Sequence, residues 1–231
     1  MENLFYHTYN RGTEKRKIFI EEGDYFRGVH DLYEFNDVKA VFNLKQRING
    51  RPTSINLTSI NFKKTRENLV NLFVWCLMPN HYHLFSSPVL DDGLANFHKK
   101  FGGGFAKFFN IKYKRNGVLF QGIYKKVRVM DDTQAIQLIC YIHSNPLDLW
   151  KSDWKEKGLN NLEIQNALKF LEQYRWSSHL DWWGIRNFPS LIDKDFMARF
   201  FKNSEEYREF FTNWLSYYAK NIESLKGFKL E

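Results

Sequence analysis

Residues 69–87 read Leu69-Val70-Asn71-Leu72-Phe73-Val74-Trp75-Cys76-Leu77-Met78-Pro79-Asn80-His81-Tyr82-His83-Leu84-Phe85-Ser86-Ser87. The first ten are nearly all apolar, the pattern of a strand buried on both faces. Pro79-Asn80 turns the chain, and residues 81–87 return as the neighbouring strand. Side chains on a strand alternate between faces, so His81 and His83 point one way and Tyr82 the other. Two imidazoles side by side can share one metal ion, imidazole being the commonest protein ligand for such ions. A pair of surface histidines on an exposed strand fits the same tripeptide, so residues downstream must decide between the two.

Working outward, Phe5 to Asn10 is aromatic and β-branched and stops at Arg11-Gly12, which predicts a strand. Tyr25, Phe26, Val29, Leu32 and Tyr33 recur at helical spacing after Gly23-Asp24, with Asp24 as the expected cap. Residues 36–68 read as an insertion; from Gln46 it is polar and basic, the composition of a long loop. Pro88 and Asp91-Asp92-Gly93 open a helix from Leu94 to about Arg115, interrupted by Gly102-Gly103-Gly104. Glycines cost about 1 kcal/mol each in a helix interior, so close approach of another backbone or of a ligand is expected there. After Asn116-Gly117, residues 118–129 alternate apolar and polar, which predicts a strand with a basic end. Asp131-Asp132-Thr133 then caps a helix from Gln134 to Ser144, stopped by Asn145-Pro146. Further helices are expected over 161–174, 193–201 and 205–225. The order is βαββαβ, an α+β fold with a ferredoxin-like antiparallel sheet and helices on one face, plus a C-terminal helical extension. The hairpin at Pro79-Asn80 is expected at the centre of the sheet, within a core spanning 1–180 and followed by the extension 181–231.

The chain has 231 residues, 43% hydrophobic and 18% aromatic, enough to bury a sizeable core. Lysine and arginine outnumber aspartate and glutamate 34 to 26, giving +8, which favours a polyanionic partner. Cys76 and Cys140 lie in apolar stretches and read as buried hydrophobes rather than a disulfide framework. No apolar stretch is long enough to span a bilayer, so a cytoplasmic protein with no membrane partner is expected.

The second half of the candidate site is Tyr141-Ile142-His143-Ser144-Asn145. Tyr141 and Asn145 are four apart and share one helical face. Beside a divalent metal that polarises a phosphate, a phenol oxygen can act as a nucleophile and form a phosphotyrosine. The Asn145 amide oxygen is a hard neutral ligand suited to Mg²⁺ or Mn²⁺. Taken alone, a helical tyrosine is usually structural and an Asn before Pro usually a stop.

Together, Met78-Pro79-Asn80-His81-Tyr82-His83-Leu84 and Tyr141-Ile142-His143-Ser144-Asn145-Pro146 resemble the single-tyrosine HUH transposases, in particular the REP-associated tyrosine transposases. Residues 6–12, 116–122 and 174–178 extend the resemblance over about residues 4–180. The resemblance implies cleavage of single-stranded DNA, often beside a hairpin. Tyr141 would be the nucleophile and hold a 5′-phosphotyrosine, His81 and His83 would bind Mg²⁺ or Mn²⁺, and Asn145 would sit where relatives place a third ligand. A free 3′-hydroxyl would then rejoin the strand with no nucleotide cofactor, in a monomer or a homodimer. The chain departs from the pattern at the 36–68 insertion, at Ile123 where a basic residue is expected, and in the tail from 181. Two other readings use the same residues: a nuclease in which the metal activates water and Tyr141 is a bystander, and a DNA-binding relative without catalysis.

Phosphates are bound by Lys and Arg, and unpaired bases stack on aromatic rings. The expected DNA contacts are Arg11 after the first strand, Lys99 and Lys100 on the long helix, and Lys125, Lys126 and Arg128 on the basic strand. Lys15, Arg16 and Lys17 join them, with Lys63, Lys64 and Arg66 as weaker candidates. Of Trp176, Trp182 and Trp183, at least two are expected to be packing residues.

Overall fold

The computed structural model describes residues 4–39, 66–193 and 195–220. Most of the expected insertion, with Lys63 and Lys64, lies outside the described residues. Strands β1 (Phe5–Arg11), β2 (Val70–Met78), β3 (His81–Pro88) and β4 (Lys125–Val129) form an antiparallel sheet in the order β2-β3-β1-β4. This is the split-βαβ arrangement that the order of elements predicts. The expectation that both hairpin strands are central is corrected: β3 and β1 take the centre, and β2 is an edge strand. Its residues are nevertheless buried, because the chain at 176–178 runs along its outer side. Leu77 N–H donates to Trp176 O at 2.9 Å, and Ser178 N–H to Trp75 O at 2.9 Å. An apolar edge is thereby closed to further strand pairing.

The fourth strand is shorter than the alternation over 118–129 predicts; only Lys125–Val129 pairs with β1. Gly117 and Gly122 take positive φ of 89° and 84°, which breaks any extended run. The intervening segment crosses the end of β1 instead, with Gln121 N–H donating to Arg11 O at 2.8 Å.

The two crossover helices, α1 (Glu22–Glu34) and α2 (Gly93–Lys112), share one face of the sheet. There Val70, Leu72, Trp75, Leu77, Tyr82 and Leu84 meet Val29, Leu32, Phe97, Phe101, Phe105 and Phe109. Each fully buried phenylalanine contributes on the order of 2–3 kcal/mol. Helix α1 begins earlier than expected: Glu21 is its N-cap, and Asp24 completes a capping box from the third position. The buried Asp24 carboxylate also meets Lys112 and accepts from Tyr113 Oη at 2.7 Å, fastening the start of α1 to the end of α2. Burial alone would raise its pKa, but these bonds and two backbone N–H groups hold it below the ordinary carboxylate value.

The opposite face is covered as well. Helix α3 (Asp132–Ser144) lies on it, followed by α4 (Leu147–Trp150), α5 (Trp154–Lys157), α6 (Asn161–Gln173), α7 (His179–Trp182), α8 (Asp195–Ala198) and α9 (Ser204–Lys220). Sheet residues Phe73, Val74, Cys76 and Phe85 join Leu138, Ile139, Ile142, Trp182, Phe211 and Leu215 in one apolar layer. The described part of the tail thus packs over α3, and both cysteines are buried free thiols.

The glycine run in α2 resolves unevenly. A Cβ on Gly104 would lie 2.3 Å from the Phe35 ring, whereas one on Gly102 or Gly103 would meet nothing within 4 Å. Among the described residues, close approach therefore explains only Gly104. Alanine at Gly102 and Gly103 together should raise stability by about 1–2 kcal/mol, and Gly104→Ala should lower it, both measured by urea unfolding.

Candidate active site

The register of β3 against its neighbours builds the site. Tyr9 lies opposite His83 and Arg11 opposite His81 on β1, and Cys76 and Met78 oppose the same histidines on β2. Directly opposed residues share a face. His81 and His83 therefore point to the α3 side, with ring centroids 4.9 Å apart and planes at 87°. Tyr82 points to the other side, where it packs on Phe101 and bonds His98.

A third imidazole, not anticipated from the sequence, joins this face. His7 on β1 is diagonal to His83, and its Nε2 lies 3.0 Å from His83 Nδ1. Both rings are buried and stacked, with centroids 5.2 Å apart. Tyr9 packs on each of them, at 5.1 and 5.8 Å. On the other histidine, Nδ1 lies 2.6 Å from Asn80 Oδ1, so the asparagine of the turn also orients the ring that follows it. Burial first, then the charges of His7 and His81, hold His83 well below the ordinary histidine pKa and keep it neutral, the form that ligates metals.

Helix α3 sets Tyr141 over this group. Its phenol ring stands edge-on to His83 at 5.6 Å and to His7 at 6.2 Å. Four residues on, Asn145 Nδ2 donates to Tyr141 O at 2.9 Å, which leaves Oδ1 as the amide's cation-binding end. As expected, the helix ends at Ser144, with Asn145 as its C-cap in right-handed helical angles (φ −50°, ψ −39°), and the separate short helix α4 follows Pro146. Lys155, also missed in the sequence, places its ammonium 5.4 Å from the Tyr141 ring centroid. Asp148 holds it there through a 2.9 Å ion pair. Among the described residues, no three His, Cys, Asp or Glu side chains form a set able to hold a metal ion. The two imidazoles that the strand brings together could share a cation, which would have positions left for water and a substrate oxygen.

Behind the tyrosine, α3 is anchored by a buried polar chain. His143 Nε2 is 2.8 Å from Ser178 Oγ, and its Nδ1 is 2.6 Å from Tyr207 Oη; His179 Nδ1 is 3.1 Å from the same oxygen. Ser178 Oγ donates to Trp75 O and accepts from Trp75 N. One assignment of protons satisfies every link. His179 Nδ1–H donates to Tyr207, Tyr207 to His143 Nδ1, and His143 Nε2–H to Ser178. The helix bearing Tyr141 is thus tied both to α9 and to the segment that closes β2.

The basic candidates divide between faces. Arg11 and Lys125 belong to the histidine face, opposite His81 and Tyr9 respectively. Lys126 and Arg128 oppose Thr8 and Tyr6 and belong to the other face, Lys126 lying 5.4 Å from the Tyr6 ring centroid. Lys99 is exposed on α2, and Lys100 caps the segment after α1 through the carbonyls of Asp37, Val38 and Lys39. Trp182 and Trp183 are core residues, whereas Trp176 is half-buried beside Tyr25, Phe26 and Phe188 with Arg175 above them.

No helix among the described residues is long and apolar enough to cross a membrane. No family model matches the chain, and no curated protein does. Among solved structures, a REP-associated tyrosine transposase bound to a REP hairpin is similar over 76% of each chain, with 10% identity and a TM-score of 0.39.

Proposed function

We propose that this chain cleaves and rejoins single-stranded or hairpin DNA through Tyr141, with His81, His83 and Asn145 as the ligands of a Mg²⁺ or Mn²⁺ ion. The reading is carried by one observation: the Tyr141 ring stands edge-on to His83 on the face that His81 shares. A divalent ion, when bound, would withdraw charge from a phosphate oxygen. The residues of the chain do the rest. Lys155, 5.4 Å from the ring centroid, supplies positive charge beside the phenol, whose oxygen attacks phosphorus as its proton passes to solvent. The P–O3′ bond breaks, the leaving oxygen takes up a proton, and the 5′ phosphate remains on Tyr141. A 3′-hydroxyl reverses the sequence, so no nucleotide cofactor is consumed. Arg11 and Lys125 flank the histidines and supply positive charge for neighbouring phosphates.

The test is incubation with end-labelled hairpin DNA carrying single-stranded flanks, with and without Mn²⁺. The expected result is a metal-dependent protein–DNA adduct that survives denaturing electrophoresis. Cleavage without an adduct would assign the nucleophile to water, and binding without cleavage under every metal tried would leave a DNA-binding protein only.

A further inference from the structure

We infer that His7 is a positioning residue for the candidate site: it accepts the Nδ1 proton of His83 and so holds the His83 Nε2 lone pair open for a divalent cation. The inference rests on the metal reading given above and assigns a residue outside the ligand set. A neutral imidazole carries one N–H, and in water that proton favours Nε2, the wrong end for an Nε2 ligand. The 3.0 Å contact between His7 Nε2 and His83 Nδ1 requires one proton between them. Only if His83 supplies it is His83 Nε2 left as a lone pair. The neighbouring ring supports this direction. His81 Nδ1 meets Asn80 Oδ1, which can only accept, so His81 also carries its proton on Nδ1 and presents Nε2. Two different devices, an asparagine one residue before and a histidine on the adjacent strand, thus bring paired rings to the same tautomer. His7 and His83 are each 1% exposed, so water does not compete for the shared proton. Partners of this kind fix the tautomer and ring orientation of a ligating histidine, and their loss typically costs about 10- to 100-fold in metal affinity.

The full-length protein, labelled with ¹⁵N in its histidine rings and free of metal, gives the first test. Long-range ¹H–¹⁵N spectra should show His83 protonated at Nδ1 in the wild type, shifting to Nε2 in His7→Phe. The second test is Mn²⁺ binding without DNA, followed by the EPR signal of the free ion. His7→Phe should weaken binding by about 10- to 100-fold, and His7→Gln, which keeps an acceptor, should recover most of it. A wild-type His83 protonated at Nε2 overturns the inference, as does His7→Phe binding Mn²⁺ with undiminished affinity, and the metal reading survives either result. A wild type that binds no Mn²⁺ removes the metal reading and this inference with it.

Discussion

On the proposed function, Tyr141→Phe is expected to abolish the covalent DNA adduct and to lower strand cleavage by at least about a thousandfold, because it would delete the attacking oxygen and nothing else. The ring keeps its edge-on contacts with His7 and His83 and its place beneath the Lys155 ammonium, all of which involve ring carbons or the π face. Thermal stability should therefore stay within about 2 °C of the wild type, since the change keeps the ring and its packing in place. Affinity for the same DNA should change by less than about threefold, because on the proposed function it would be dominated by lysine and arginine contacts to phosphate, which the change leaves in place. Equilibrium binding by fluorescence anisotropy and single-turnover cleavage separate the two quantities. Cleavage at a wild-type rate in this variant would transfer the nucleophile to water and reduce the tyrosine to a packing residue.

Reading the site from sequence works where spacing along the chain equals proximity in space. His81 and His83 share a face because two residues on a strand always do, and Tyr141 and Asn145 because four residues on a helix do. His7 is invisible by that route. It reaches His83 across 76 positions through the β1–β3 register, which depends on how the whole sheet assembles. Lys155 is lost in the same way, in a charged stretch where nothing local separates it from Lys151 or Lys157. Composition also misleads about position in the sheet. The apolar run 69–78 implies burial on both sides, and it is so buried, but the second neighbour of β2 is the segment 176–178 rather than a strand. The basic strand divides its charges between faces by the pleat, which places Lys125 near the site and Lys126 away from it. The α+β class, the βαββαβ order and the helix-borne tyrosine all follow from local pattern. What local pattern does not contain is which charged and polar groups converge.

Acid should unfold this protein early, through histidines that the core holds neutral. Burial pushes His98 and His179 down to about 3, far under the value of 6.5 they regain in the unfolded chain. A base with a depressed folded pKa gives stability that is complete above the unfolded value and is lost as pH falls below it, because only the unfolded state takes up the proton. Each such group costs up to about 1.4 kcal/mol per pH unit, so two account for about 5 kcal/mol between about pH 6.5 and about pH 4.5, comparable with the whole stability of many domains. The contacts explain why the proton is refused. His98 bridges Thr8 and Tyr82 beneath the stacked Tyr124 ring, with no carboxylate among its bonded partners. His179 already donates to Tyr207, and its buried Nε2 faces no acceptor, so a second N–H would be unsatisfied. His143 moves in the same direction, well below its ordinary value, first because it is buried and then because His179 lies beside it. Protonated at Nδ1, it would set one donor against the Tyr207 hydroxyl. Unfolding free energies from urea titrations at about pH 7.5, 6 and 5 should fall at each step, with the steepest loss below about pH 6. A loss of less than about 1 kcal/mol across that span would show that these rings find a proton acceptor on folding, and that the buried chain joining α3, α9 and the β2 edge carries its protons in some other arrangement.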